Sequence, residues 1–270
     1  MKKHPFRVAI ENHADKESFK KLFSPNVVLK APMLTKPVVG VNQVLNVVSN
    51  AAQVADPIRY TIEVSDSKQT ILLWSGQAGG FTLEAATILV DGEDGLIHEV
   101  RVLMRSWPVV TIFRDEMYRR LSVAIPQDYW ELGPKPADAG KPRQFTSIAL
   151  KPIEMAPDMV LHSPILAKSV SGKKLVEESV ELAHQVQSRS SYTFIIATPD
   201  LLIELFDCDA NGHPMEGLWI QKLNKQGQIY DLTVMLRPYP VMTVLRNMAK
   251  ALAEQRGFLG NEYWELPKSV

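Results

Sequence analysis

Two carboxylates and two guanidinium groups recur in this chain at one spacing. Glu84 and Glu216 lie 132 residues apart, and so do Arg105 and Arg237. Each glutamate sits inside a stretch that reads as a strand. A carboxylate facing an enclosed apolar space loses hydration, its pKa rises, and it can serve as a general base. The plainer alternative is a strand glutamate that faces solvent or pairs with an arginine. Each arginine closes a strand just before Pro108 or Pro240. A guanidinium there can clamp a ligand carboxylate or an enolate. It can equally pair with Glu84 or Glu216, or bond the carbonyls of the corner, and we favour this structural role.

The histidines add further candidates. On the strand Ile97–Arg105, side chains alternate, so His98, Val100, Val102 and Met104 share one face. Glu99, Arg101, Leu103 and Arg105 share the other. The apolar face is expected to be the core side, which puts His98 near a pocket mouth. Its counterpart in the second half is Tyr230. His162 stands where the first half has Lys30, and His184 where it has Ala52. His13 lies among the opening helices. Each of these three is equally readable as a satisfied core histidine. The catalytic candidates are therefore His13, Glu84 and His98. The ligand-binding candidates are Arg105, His162, His184, Glu216 and Arg237.

The shared spacing belongs to the whole chain. Aligning positions 28–114 on 160–246 without a gap gives 28 identities in 87 positions. Val28-Leu29-Lys30-Ala31-Pro32 returns as Val160-Leu161-His162-Ser163-Pro164, and Tyr129-Trp130-Glu131-Leu132 returns as Tyr263-Trp264-Glu265-Leu266. The chain is read as two copies of one unit, over 1–132 and 152–270. A Pro-, Lys- and Gly-rich linker joins them over 133–151.

Each unit has the same order of elements. Helical spacing runs from Phe6 to His13 and again toward Phe23, with Asp15 as a cap and Pro25 as the stop. A short strand at 26–29 follows, then a helix after Gly40, copied after Gly172. Four strands come next: Tyr60–Ser65, Gln69–Trp74, Thr82–Val90 and Ile97–Arg105. Their copies are Tyr192–Ala197, Leu201–Phe206, Met215–Leu223 and Ile229–Arg237. A terminal helix follows each last strand. The second unit has only 145–156 before its first strand, broken by Pro152, so its opening helix is shortened. Helices followed by a run of antiparallel strands predict an α+β fold, with helices packed on one face of a curved, mostly antiparallel sheet.

Composition narrows the function. The chain has 270 residues, 30 Lys and Arg against 30 Asp and Glu, and a formal net charge of zero. That leaves no electrostatic footprint for nucleic acid or an anionic membrane. One cysteine, Cys208, excludes an internal disulfide. No apolar run of 18 residues is present. A cytoplasmic protein is the expectation. Metal-ligand clusters, glycine-rich phosphate loops and the Gly-x-Ser-x-Gly elbow are all missing from the sequence. Any catalysis is expected to be acid/base work without a cofactor or metal.

The order of elements, with Leu22-Phe23-Ser24-Pro25-Asn26-Val27-Val28-Leu29, Val160-Leu161-His162-Ser163-Pro164, Gly40, Gly172 and Leu232-Thr233-Val234-Met235-Leu236-Arg237-Pro238, resembles the nuclear transport factor 2-like superfamily in its SnoaL-like branch. The resemblance covers both units. It implies two cone-shaped units, each able to hold a small, mostly apolar organic molecule. It implies isomerase, cyclase, hydrolase or dehydratase chemistry, or binding without chemistry, because one scaffold hosts them all. It also implies an intramolecular pseudo-dimer, since single-unit relatives pair through their sheets. Glu99 with Arg101 is similar to the water-activating pair of the superfamily's epoxide hydrolases, although Asp231 with Thr233 replaces it in the second unit. Within this frame the first unit, which keeps its opening helix, is expected to hold the working pocket. The second is expected to be degenerate, open or plugged.

Overall fold

A computed structural model describes residues 3–66, 68–137 and 153–267. Two compact units form: Met1–Met104 with Val109–Leu132, and Arg105–Pro108 with Gly133–Val270. The fold is α+β, and each unit carries helices against a curved sheet.

The first unit opens with α1 (Pro5–Glu11) and α2 (Lys16–Lys20). Asp15 caps α2, its Oδ1 accepting from the backbone N–H of Glu17 at 3.0 Å and of Ser18 at 2.9 Å. Phe6, Phe19 and Phe23 pack their rings, tilted or edge-on, into one buried cluster that fastens both helices. Strand β1 spans Phe23–Lys30 and begins three residues before the predicted start, with Pro25 inside it. Its pairing shifts register between Phe23 and Val28, so the proline, which has no N–H to give, sits in the irregular stretch. The short β2 (Val38–Val39) leads to α3 (Val41–Val54). Strands β3 (Arg59–Ser65), β4 (Gln69–Ala78), β5 (Phe81–Asp91) and β6 (Ile97–Arg105) lie side by side in that order. β1 runs parallel to β6. Helix α4 (Trp107–Leu121) closes the unit.

The second unit repeats this plan. β7 (Met155–His162) runs parallel to β12 (Ile229–Arg237), and β8 (Val170–Ser171) pairs with β7. Helix α5 (Lys173–Val186) leads straight into β9 (Gln187–Ala197). β10 (Leu201–Ala210), β11 (His213–Leu223) and β12 complete an antiparallel run, and α6 (Tyr239–Arg256) follows. The strands β4 and β10 run four residues beyond their predicted ends. Their alternation continues into polar residues that sequence patterning alone assigns to turns.

Gly40 and Gly172 precede α3 and α5 with φ of 94° and 93°. An L side chain is strained there, which accounts for glycine in both copies. The shortened opening helix expected over 145–156 is partly replaced: Met155 and Ala156 already belong to β7. Residues 138–152, which include most of that stretch and of the linker, lie outside the described residues.

Both C-terminal segments are anchored alike. Trp130 and Trp264 are 2% and 1% exposed, and each indole Nε1 donates 3.4 Å to a carbonyl five residues back, Ile125 or Leu259. Arg114 and Arg246 stand over these rings at 5.9 Å. The carbonyls of Tyr129 and Tyr263 accept from Thr35 and Ala167 at 2.8 and 2.7 Å. A selected contact, rather than chance, explains why Tyr-Trp-Glu-Leu recurs across a length change. Among the described residues no helix is long and apolar enough to cross a membrane.

Candidate functional site

Each unit holds one apolar cavity between its helices and the face of its sheet. In the first unit it is walled by Val100, Val102 and Met104 of β6, by Val47 and Val48 of α3, and by Trp74. Phe6 and Ile10 of α1 line it as well. About 540 Å³ of unfilled space remains, including the open mouth. Its polar groups are Tyr60 and Thr87, and Thr87 already accepts from Trp74 Nε1 at 3.0 Å. Burial pushes the Tyr60 hydroxyl well above its ordinary pKa.

In the second unit the cavity offers about 700 Å³ by the same measure and is somewhat better enclosed. Leu232, Val234 and Leu236 of β12 form the floor, as the alternation of β12 requires. Phe206 and Trp219 form a wall, edge-on at 5.9 Å between centroids. A Cβ on Gly217 would meet the Phe206 ring at 2.0 Å, so this wall needs glycine beneath it. Four polar side chains reach the cavity: His184 and Gln187 at the end of α5 and just beyond, with Ser163 and Ser179.

The second unit, expected to be degenerate, open or plugged, thus holds an apolar cavity comparable to that of the first. The opening helix does close a wall of the first cavity, through Phe6 and Ile10. In the second unit no helix precedes β7 among the described residues. Phe258, Leu259 and Trp264 of the C-terminal segment line the cavity instead.

The predicted site residues are dispersed. His184 lines the second cavity, exposed at its edge. His98 does not reach the first. Its strand alternation holds, because Val100, Val102 and Met104 do line that cavity. His98, however, falls at the start of β6, beyond the last covering helix. It is exposed and its Nε2 meets Asp94 Oδ1 at 3.0 Å. His13 is exposed beside Glu11 and Asp56 on a shallow surface depression. Glu84 pairs in register with Ser75, while the cavity residue Trp74 pairs with Ala85, so Glu84 faces the other side of the sheet. His13, Glu84 and His98 are not brought together.

Glu216 and Arg237 are register partners on the face of β11 and β12 away from the cavity, and they form an ion pair. Arg105 is 6% exposed, and its side chain lies on the face of β6 opposite Met104. His162 also points away from the cavity, since its neighbour Leu161 lines it. His162 Nδ1 is 2.7 Å from Ser169 Oγ and its Nε2 is 3.2 Å from Asp231 Oδ2, while Lys222 Nζ is 3.3 Å from Asp231 Oδ1. In the first unit Lys30 Nζ stands 3.2 Å from Glu99 Oε2, and Arg101 Nη2 donates 2.6 Å to Glu99 Oε1. Each unit therefore sets one half-buried acid on its last strand against a base from its first strand.

Burial alone would raise both acids, but the cations win. Arg101 and Lys30 hold Glu99 below its ordinary pKa, and His162 and Lys222 do the same for Asp231. Groups with depressed pKa values contribute stability at neutral pH and lose it as pH falls through those values. In an NMR acid titration both carboxyls should protonate at lower pH than exposed ones. Protonation at or above the ordinary range would show that these pairs do not form. Among the described residues, no three His, Cys, Asp or Glu side chains gather closely enough to hold a metal ion.

Sequence reasoning passed over one buried acid, Glu204. It is 5% exposed in the apolar run Leu201–Phe206, and Gln221 Nε2 donates to its Oε2. The available signal was its counterpart: the first unit has Leu72 there, and Leu89 where Gln221 stands.

No family model matches the sequence, and no curated protein matches it. Solved structures resemble it at the level of a single unit. A steroid delta-isomerase from Pseudomonas aeruginosa is 23% identical, with a TM-score of 0.42, over 44% of this chain and 87% of its own. A cystatin-like-fold protein from Silicibacter pomeroyi is 23% identical, with a TM-score of 0.42, over 45% and 88%. A SnoaL-like polyketide cyclase, so described, from Shewanella putrefaciens is 12% identical, with a TM-score of 0.32, over 42% and 81%. The structures this chain resembles are thus of the nuclear transport factor 2-like and SnoaL-like kind, each matching a little under half of it.

Proposed function

We propose that this protein binds a small, mostly apolar organic molecule, and that the second unit holds it. The observation that carries this reading is the second-unit cavity itself. Its floor of Leu232, Val234 and Leu236 and its aromatic wall of Phe206 and Trp219 suit an apolar body. His184 and Gln187 at the edge suit a polar end. Binding rather than turnover fits the lining better. Acid/base isomerisation, cyclisation or hydrolysis calls for convergent ionisable groups, and His184 is the one ionisable side chain in the lining.

Matched substitutions test the choice of unit. Val102 and Val234 are repeat counterparts, and each lines its own unit's cavity. Titration with the neutral dye Nile red should show V234F weakening binding at least about tenfold, a loss of about 1.4 kcal/mol. V102F should leave it within about twofold. The reverse pattern would return the site to the first unit. Absence of dye binding to the folded wild-type chain would defeat the reading altogether.

A further inference from the structure

Ser169, His162 and Asp231 form a row of polar contacts in the second unit, outside the cavity lining. Strand register assembles it. Val160 and Leu161 of β7 face Ser171 and Val170 of β8, so the same register carried one residue further sets Ser169 against His162. On its other side β7 pairs with β12, where His162 is the partner of Thr233. Asp231 lies two residues before Thr233, so its side chain is on the same face. β11 supplies Lys222, the direct partner of Asp231. Leu161, Leu232 and Val234 line the cavity, so the row lies on the opposite face of the sheet.

The contacts run in series. Ser169 Oγ is 2.7 Å from His162 Nδ1, and His162 Nε2 is 3.2 Å from Asp231 Oδ2. Against burial, which would raise it, His162 and Lys222 hold the Asp231 carboxyl below its ordinary pKa. A carboxylate only accepts, whereas a neutral imidazole donates from one nitrogen and accepts at the other. Asp231 therefore accepts from the Nε2–H, which leaves the Nδ1 lone pair to the Ser169 hydroxyl. A hydroxyl, a base within hydrogen-bond reach and a third group that orients the base make an activated nucleophile. The His162 side chain is 27% exposed and Ser169 is partly exposed, so the row is open to solvent. The counterparts in the first unit are Pro37, Lys30 and Glu99. There the Lys30–Glu99 pair joins the same two strands without histidine or serine, so the fold itself does not call for them.

We propose that Ser169 is a nucleophilic serine that takes the acyl group of an activated ester, with His162 as its base and Asp231 positioning His162. Ser169 Oγ attacks the ester carbonyl carbon while its proton passes to His162 Nδ1. The bond from that carbon to the leaving oxygen then breaks. The leaving group departs with the bonding pair and collects the proton, and the acyl group stays on Oγ. The test treats the full chain with p-nitrophenyl acetate, follows p-nitrophenol release, and locates acetyl groups by acid quench and peptide mass spectrometry. Ser169 should be acetylated at least about tenfold faster than Ser171, which is exposed on the same short strand. His162→Gln, which keeps a polar side chain but no base, should slow acetylation of Ser169 at least about a hundredfold. Asp231→Asn should slow it at least about tenfold, and Asp231→Glu should recover part of that loss. Circular dichroism and Nile red titration check that each variant keeps its fold and its cavity. Release of p-nitrophenol unchanged in Ser169→Ala, Ser169 acetylated no faster than Ser171, or His162→Gln reacting like wild type would overturn the proposal. None of these outcomes touches the cavity reading, which lies on the other face of the sheet.

Discussion

Trp264→Ala should destabilise the second unit by about 3–5 kcal/mol, the range for removing a large buried aromatic. The indole is 1% exposed, donates to the Leu259 carbonyl and lies beneath the Arg246 guanidinium. Arg246 Nη2 also donates 2.9 Å to the Trp264 carbonyl, so the ring and the chain end are held by one side chain. Removing the ring opens the stretch of cavity wall that Trp264 forms with Phe258 and Leu259. The measurement is urea unfolding followed by circular dichroism. Leu266→Ala serves as the control, since that side chain is only partly buried. A Trp264→Ala midpoint equal to that of wild type would show that the recurrent tryptophan is not an anchor.

Arg237→Met should cost about 3 kcal/mol, because it takes an ion-pair partner from the Glu216 carboxylate at a site where the pair's side chains are only 9% and 16% exposed. The double variant Arg237→Met, Glu216→Leu should recover most of that loss, since two apolar residues replace both charges. The recovery separates a structural pair from a ligand clamp. If Arg237 held a ligand, the double variant would be stable but would fail to bind Nile red. The structure favours the first outcome: both side chains lie on the sheet face away from the cavity.

Much of the architecture was legible because the sequence says it twice. A gapless lag of 132 residues lets each unit repeat the order and spacing of its elements between positions 28 and 114, and Gly40 with Gly172 marks a backbone angle that only glycine takes easily. Strand alternation placed Val100, Val102 and Met104 on the cavity wall correctly, because a period of two is a local property of the chain. The same rule misplaced His98, because alternation tells which way a side chain points and not where the covering helices stop. The tandem unit, the element order and the twin tryptophan anchors were thus determined by the sequence alone. What closes each cavity was decided only by the tertiary structure, where Phe6 and Ile10 of α1 line the first and Phe258, Leu259 and Trp264 of the C-terminal segment line the second. The placement of Glu204 was decided there too. Its neighbours in the chain are apolar, but its burial and its Gln221 partner 17 residues away arise from strand register, a long-range pairing that no local pattern encodes.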